Sequence, residues 1–229
     1  MNRICKLLLG GVFAAALSLS ARAADNTVDF QKIFNEANAV YKAGKWQEAL
    51  PLLHKAGEAA NSEWRKYAVN YRLAYCYYNS RQNEKALEFA AEALKYSKID
   101  DRDRNRFINV TAEALMRLKR YEEALKVIDK RLAENTVKND MYYTMLLNKG
   151  VILYELKKYK ESLDNLLKLQ ECTKVDKSVS NKGNWYTGAA AMALGDKATA
   201  VKYFEIVAQK GQGWFAKSAK KNLQKLQAR

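Results

Sequence analysis

Apolar residues recur along this chain at helical spacing, in pairs of short segments separated by only a few residues. Ile108, Ala112 and Leu115 share one face of a helix that the pattern predicts over residues 107–118. The same spacing predicts a second helix over about 121–133, after a connection of two residues. Two helices joined so closely must fold back on each other, so the pattern predicts a helical hairpin.

The hairpin pattern occurs five times at an almost constant interval. The phrase RYEEAL at residues 120–125 has counterparts in KWQEAL, QNEKAL, KYKESL and DKATAV. Its small residue recurs after 37, 38, 38 and 38 residues, at Ala49, Ala86, Ala124, Ser162 and Ala200. A second small residue precedes each of these by twelve positions, at Ala37, Ala74, Ala112, Gly150 and Gly188. Because helices need small side chains where their axes come closest, both sets predict close contacts within the hairpins of a stacked repeat array.

At these positions the chain resembles the tetratricopeptide repeat family, whose units carry a small residue and a tyrosine on the first helix, then an alanine and an aromatic residue on the second. The resemblance extends from residue 30 to about 210 and is strongest over 39–56 and 117–132. The period is about four residues longer than the roughly 34 that are usual in the family. The proline that often ends a unit is absent.

The resemblance implies an all-α fold, a helical-hairpin solenoid of about five repeats with a C-terminal capping helix. The predicted repeats cover about 30–60, 66–97, 104–135, 142–172 and 181–210, and the capping helix covers about 213–227. A polar-faced cap is what a repeat stack needs at its end, and a basic helix lying on a membrane is the alternative interpretation of this last segment. The polar stretch 173–184 is the longest connection and is predicted to be a mobile loop.

The first 23 residues have the three parts of a secretory signal peptide. Two basic residues precede an apolar run over residues 7–20, and Ala21 and Ala23 form a small-x-small cleavage pattern. The run is 14 residues long, shorter than the roughly 20 that a helix needs to span a bilayer. We therefore expect residues 1–23 to be removed, which leaves a 24–229 domain without a transmembrane segment, exported to the periplasm or secreted.

Charge and cysteine content narrow the class of partner. The chain has 40 basic and 25 acidic residues, a formal net charge of +15. This excess favours an acidic partner or an anionic envelope surface, whereas export argues against nucleic acid as a natural partner. Cys76 and Cys172 remain after cleavage and belong to different predicted repeats. We expect them to stay unpaired, because a disulfide needs Cα atoms within about 7 Å.

No catalytic or metal-binding constellation is recognisable in the sequence. His54 is the only histidine, so the chain offers no histidine pair for a metal and no convincing Ser-His-Asp arrangement. The stretch GQGWFAKS at 211–218 lacks the second glycine of a phosphate-binding loop and follows no predicted strand. The sequence therefore predicts a protein that is not an enzyme and has no cofactor.

The resemblance implies a binding function, because tetratricopeptide arrays hold peptides or proteins in the concave surface lined by their first helices. Spacing at i, i+4 and i+7 independently places most of the corresponding residues on one face of each first helix. The candidate partner-binding residues are Phe34, Asn38, Tyr41, Tyr71, Arg72, Tyr75, Tyr78, Asn109, Tyr154 and Trp185. The function expected is a periplasmic scaffold or adaptor in cell-envelope assembly.

Two alternatives stay open at this point. The aromatic candidates could instead fill gaps in the core between repeats. The array could also be a structural envelope protein that attaches through its basic surface to an anionic envelope component.

Overall fold

The structure is a computed structural model that describes residues 29–134, 140–170 and 177–228. All regular secondary structure in these ranges is helical. The helices are α1 (29–42), α2 (Trp46–Glu58), α3 (Glu63–Asn79), α4 (Asn83–Leu94), α5 (Asp101–Arg117), α6 (Tyr121–Glu134), α7 (Asp140–Glu155), α8 (Tyr159–Gln170), α9 (Lys177–Ala193), α10 (Lys197–Lys210) and α11 (Gly213–Gln227). They form five helical hairpins followed by a single helix, so the predicted all-α hairpin array with a capping helix is confirmed.

All five hairpin turns share one backbone conformation. A residue with a left-handed φ stands two positions before each second helix, at Gly44 (73°), Arg81 (60°), Lys119 (59°), Lys157 (60°) and Gly195 (79°). In the third turn, the Lys119 N–H donates to the Met116 carbonyl and the Arg120 N–H donates to the Leu115 carbonyl. The other turns repeat both bonds. This Schellman arrangement satisfies carbonyls at the end of each first helix and directs the chain into the second.

The ten small residues of the repeat are all buried, as close helix packing requires. In the fourth hairpin, the Ser162 hydroxyl donates a 2.7 Å hydrogen bond to the Gly150 carbonyl. A Cβ placed on Gly150 would lie only 2.4 Å from Leu166 Cδ2. The two helices therefore meet at a distance that excludes a larger side chain at Gly150.

Contacts between Cα atoms divide the described residues into two compact units, with the boundary between Ser97 and Lys98. In the first unit, α3 packs against α2 and α4, and Phe30, Leu53 and Val69 belong to the buried core. In the second unit, α7 contacts α5, α6, α8 and α9, while α11 packs against α9 and α10. The first helices of the hairpins are therefore α1 and α3 in one unit, and α5, α7 and α9 in the other.

The predicted loop over 173–184 is wrong from residue 177 onward, because α9 begins at Lys177. Asn184 is buried, and further along the helix the Thr187 hydroxyl donates to the Gly183 carbonyl. Burial against the neighbouring helices therefore overrides the polar composition of this segment. The predicted signal peptide 1–23 and Cys172 lie outside the described residues, so the expectations about them stay predictions.

Candidate partner-binding site

Arg72 on α3 is the centre of the candidate site in the first unit. Its Nε donates a 2.8 Å hydrogen bond to Asn38 Oδ1 on α1, and its Nη1 donates to the Ala68 carbonyl one turn earlier, at 2.9 Å. The guanidinium carbon lies 4.4 Å from the ring centroid of Phe34 and 5.8 Å from that of Tyr41. Four residues predicted from the sequence are therefore in one place, and the guanidinium is fixed in position by two helices.

The electrostatic environment of Arg72 is unusual for a surface arginine. Burial lowers the pKa of its guanidinium because the charged form loses hydration, while Tyr41 and Tyr71 act in the opposite direction. Among the ion pairs of the described residues, none involves Arg72. The site thus holds a partly desolvated positive charge beside aromatic rings and an amide, without a carboxylate from the described part of the chain.

The predicted tyrosines of α3 form a continuous row of rings. Tyr71 and Tyr75 stack with their centroids 5.1 Å apart, and Tyr67 meets Tyr71 edge-on at 6.3 Å. Tyr96, just after α4, stacks on Tyr67 at 4.7 Å. All four side chains are half-buried, so the row combines apolar area with partial access to solvent. Tyr67 continues the four-residue spacing and was detectable in the sequence, whereas Tyr96 has no such signal because it lies beyond the next helix.

Two of the other predicted residues serve the core as well as the site. Phe34 is only 7% exposed and stacks on Phe30 at 5.1 Å, so its ring belongs to the core while it also contacts the Arg72 guanidinium. Tyr78 is half-buried and packs against the same core cluster. The predicted core assignment of Tyr77 agrees with its 5% exposure.

In the second unit, Asn109 connects helices. It is 6% exposed, its Nδ2 donates to the Met141 carbonyl at 3.1 Å, and its Oδ1 accepts from Asn148 Nδ2 at 3.3 Å. The Asn148 amide also donates to Glu113 Oε1 at 3.4 Å. Burial lowers the pKa of Lys182 on α9, and the nearby Glu113 carboxylate acts in the opposite direction. A polar row thus crosses α5, α7 and α9, and both of its asparagines, Asn109 and Asn148, are buried.

Tyr154 and Trp185, also predicted, belong to an aromatic cluster in the second unit. Their ring centroids are 6.5 Å apart, and Tyr186 touches both, at 5.3 Å and 4.9 Å. Trp185 also lies 5.2 Å from Trp214 of α11, which is 63% exposed. Burial raises the pKa of Tyr186 to about 12. Neither Tyr186 nor Trp214 was among the candidate residues predicted from the sequence. Tyr186 directly follows the predicted Trp185, and Trp214 belongs to the segment that was predicted to be the capping helix.

The described residues form no metal-binding cluster, and His54 and Cys76 are hydrogen-bonded or buried. Within ranges 29–134, 140–170 and 177–228, no three His, Cys, Asp or Glu side chains come together as a metal site would require. His54 Nε2 is hydrogen-bonded to the Tyr77 hydroxyl at 2.6 Å. Burial raises the pKa of the Cys76 thiol to about 12, which suppresses its reactivity. Among the same residues, every helix is too short or too polar to cross a bilayer.

Family models of the tetratricopeptide repeat match the chain twice, over residues 40–102 and 109–175. Together they cover more than half of its 229 residues. The chain belongs to the tetratricopeptide repeat family. Membership explains the five hairpins and their small residues, and the tetratricopeptide repeat generally serves protein–protein interaction in non-enzymatic scaffolds.

One curated relative of this tetratricopeptide repeat chain is the Vi polysaccharide export protein VexE of Salmonella typhi. The two are 28% identical over 163 residues, which is 71% of this chain and 23% of VexE. The chain thus spans about a quarter of the length of that relative.

Solved structures of similar fold include apo RapI, which has a TM-score of 0.72 at 18% identity, with 85% of this chain and 58% of RapI covered. YrrB, described as a TPR protein with an unusual peptide-binding site, has a TM-score of 0.63 at 16% identity, with 88% and 97% of the two chains covered. PilF of Pseudomonas aeruginosa has a TM-score of 0.62 at 18% identity, with 88% and 93% covered. At these identities the likeness shows the fold alone.

Proposed function

We propose that this protein is a non-enzymatic scaffold or adaptor, exported to the periplasm, that binds a protein or peptide partner during assembly of the cell envelope. The observation that carries this proposal is the guanidinium of Arg72, held by Asn38 and the Ala68 carbonyl beside the tyrosine row of α3. The tetratricopeptide repeat fold supports it, because such arrays use their first helices to bind partners.

The chemistry of Arg72 favours a carboxylate on the partner. A guanidinium has five N–H donors in a rigid fork that matches a carboxylate, and two of them are engaged by Asn38 and Ala68. A partner carboxylate would accept hydrogen bonds from the remaining N–H groups of Arg72. It would also neutralise the guanidinium charge, which is already partly desolvated by burial. The adjacent rings of Tyr71 and Tyr75 offer large apolar area at low entropic cost, as residues at binding hot spots do.

A comparison of two arginines on α3 tests this proposal. Arg65 also lies over a phenylalanine, 4.7 Å from the Phe30 centroid, and bonds to Asn61. An array of peptides synthesised in pairs, with a free C-terminal carboxylate or with an amide, is probed with the wild-type protein, Arg72→Gln and Arg65→Gln. We expect the wild type to prefer carboxylate-bearing peptides and Arg72→Gln to lose at least about ten-fold in affinity, or 1.4 kcal/mol. Equal losses in both variants would show that charge alone attracts the peptides, and would refute the Arg72 site.

Export has a separate test. Processing at the predicted site would leave Ala24 as the first residue of the protein recovered from the periplasm. An N-terminus at Met1, or recovery from the cytoplasmic fraction only, would refute the periplasmic part of the proposal without affecting the binding site.

A second candidate function is attachment to an anionic component of the cell envelope. It is favoured by the formal net charge, which is +15 for the whole chain and about +12 without Arg3, Lys6 and Arg22 of the predicted signal peptide, and by the similarity to a polysaccharide export protein. Attachment of this kind depends on charge, so it should weaken steeply as salt rises above about 0.15 M. Retention of envelope material at high salt would contradict it.

A further inference from the structure

Helix α11 has one buried face and one exposed face. Ala219 and Leu226 are buried in the core cluster of the second unit. The exposed face carries Trp214, Lys217, Lys221 and Lys225, at i, i+3, i+7 and i+11 of the helix. At 1.5 Å per residue, these side chains extend along about 17 Å of the helix axis. We call these four residues the lysine face of α11.

Trp214 is an exposed and supported aromatic platform at one end of the lysine face. Its indole lies 5.2 Å from the ring of Trp185 and 5.2 Å from that of Phe215, which restrain it from one side. The residue is nevertheless 63% exposed, the largest exposure among the exposed large hydrophobic residues of the described ranges. A tryptophan that is exposed beside other aromatic rings presents a flat apolar face to a ligand.

The opposite end of the lysine face borders an open cleft. Lys225 of α11 and Lys197 of α10 line a cleft of about 690 Å³ together with Met192 and Leu226. A space of this size accommodates a ligand of several rings. Helix α11 contains no acidic residue, and none of the ion pairs of the described residues involves its lysines or Lys197. The surface from Trp214 to the cleft is therefore aromatic at one end and cationic along its length.

We propose that the lysine face of α11 binds a linear acidic polysaccharide. A sugar ring stacks its C–H face on the indole of Trp214, and successive carboxylates pair with Lys217, Lys221 and Lys225. The three lysines recur every four residues, about 6 Å along the helix axis, which is of the same order as the length of one sugar residue, so carboxylates along one polymer can reach all three. This inference rests on the second candidate function and names its site and its ligand.

A membrane fits this surface less well than a polysaccharide. A helix that lies in a lipid interface inserts an apolar face, but the apolar face of α11 is occupied by the protein core. The flat face of the indole matches the flat apolar side of a sugar ring. Tryptophan is also common at membrane surfaces, so anionic vesicles are the comparison that decides between the two ligands.

Binding of polygalacturonate to the whole protein, measured by calorimetry and by quenching of tryptophan fluorescence, tests the inference. Neutral dextran and anionic phosphatidylglycerol vesicles serve as comparison ligands. The site variants are Trp214→Ala, Trp214→Phe and the double variant Lys221→Gln with Lys225→Gln. The matched controls in the first unit are Trp64→Ala, at a tryptophan that is 54% exposed, and Lys55→Gln with Lys66→Gln, at two exposed lysines.

We expect polygalacturonate to bind and dextran not to bind at about 0.15 M salt. Trp214→Ala and the double lysine variant should each lose at least about ten-fold in affinity, Trp214→Phe should keep most of it, and the controls should bind like the wild type. Circular dichroism establishes that each variant is folded. If Trp214→Ala fails to fold, the phenylalanine and lysine variants still report on the surface.

Four results would overturn the inference. Equal losses in the site lysines and the control lysines would mean diffuse charge attraction, and tighter Trp214-dependent binding to vesicles would mean a membrane surface. Polygalacturonate binding that no α11 variant weakens would remove the site while leaving the second candidate function intact. Absence of polysaccharide binding together with Arg72-dependent peptide binding would remove both and leave the adaptor function standing.

Discussion

Gly150→Ala tests the close helix contact of the fourth hairpin. The new Cβ would lie 2.4 Å from Leu166 Cδ2, 2.5 Å from Leu166 Cγ and 3.1 Å from Asn165 Nδ2. Ordinary van der Waals contact begins near 3.4 Å, so Leu166 must move by about 1 Å. It has little room, because it is fully buried with Leu147 and Leu169, and Asn165 is fixed by a 2.7 Å hydrogen bond to the Leu146 carbonyl.

Two opposing terms decide the effect of this substitution on stability. Alanine favours a helix interior over glycine by about 1 kcal/mol. Overpacking a buried contact costs about 1 to 3 kcal/mol and occasionally more. We expect the clash to prevail at Gly150, so that the variant unfolds at lower urea concentration than the wild type.

Gly57→Ala is the matched control. Gly57 also lies in a helix, but its added Cβ would be 3.5 Å from Val69 Cγ1, an ordinary contact. This variant should be stabilised by about 0.5 to 1 kcal/mol, because only the helix-propensity term applies. The difference between the two variants isolates the clash.

Urea unfolding followed by circular dichroism supplies the measurement, provided that the slope of the transition is the same for all variants. The double variant Gly150→Ala with Leu166→Ala adds a second check, because the smaller residue makes room for the methyl group. The two substitutions should therefore be less destabilising together than the sum of their separate effects, by at least about 1 kcal/mol. If Gly150→Ala is as stable as Gly57→Ala, the two helices of the fourth hairpin do not approach closely enough to exclude a methyl group.

Three further outcomes follow from the turns and from the buried titratable groups. Lys119→Gly should raise the free energy of unfolding by about 0.5 to 1 kcal/mol. A left-handed φ costs a residue with a side chain about 1 to 2 kcal/mol, and the greater entropy of glycine in the unfolded chain cancels part of the gain from removing that cost. Unchanged stability in urea would contradict the turn conformation. In a Cys172→Ser variant lacking residues 1–23, the Cys76 thiol should react with a thiol reagent only when the protein unfolds, because burial raises its pKa to about 12. Rapid reaction of the native protein would show that Cys76 lies at the surface. Because the pKa of Tyr186 is raised from 10.0 to about 12, the folded state binds a proton that the unfolded state releases, so this stabilisation is present below pH 10 and is lost as pH rises through 12. Tyr186→Phe should therefore flatten the loss of stability between pH 10 and about 12, and an unchanged pH profile would contradict the burial of Tyr186.

The close contacts were predictable from the sequence, because a small residue that recurs at a constant interval on a helix is required where two helices pack closely. The turn conformation was not predictable at three of the five turns. A left-handed residue is usually recognised by glycine, as at Gly44, but Arg81, Lys119 and Lys157 have no such signature. The pattern of tertiary contacts imposes the same backbone there despite the local cost.

Buried polar contacts between helices could not be predicted from the sequence. Arg131 is only 6% exposed and donates from Nε to Asn105 Oδ1 at 2.5 Å and from Nη2 to Asp101 Oδ1 at 2.7 Å. Its partners lie on the preceding helix, 26 and 30 residues earlier in the chain. In the sequence the same arginine has the pattern of an ordinary polar position of an amphipathic helix, because hydrophobic spacing does not specify which polar residues meet.

Some equivalent positions of the five first helices carry nearly the same residue in every repeat, and others differ from repeat to repeat. The position twelve residues before the second small residue is always alanine or glycine, because the hairpin contact allows nothing larger. Two positions earlier on the same helix the residues are Asn35, Arg72, Val110, Asn148 and Tyr186. Three positions earlier they are Phe34, Tyr71, Asn109, Leu147 and Trp185. Since these positions vary among the repeats, we expect the chemistry that selects a partner to reside in their differences. The proposed site at Arg72 rests on such a difference and not on the repeat pattern.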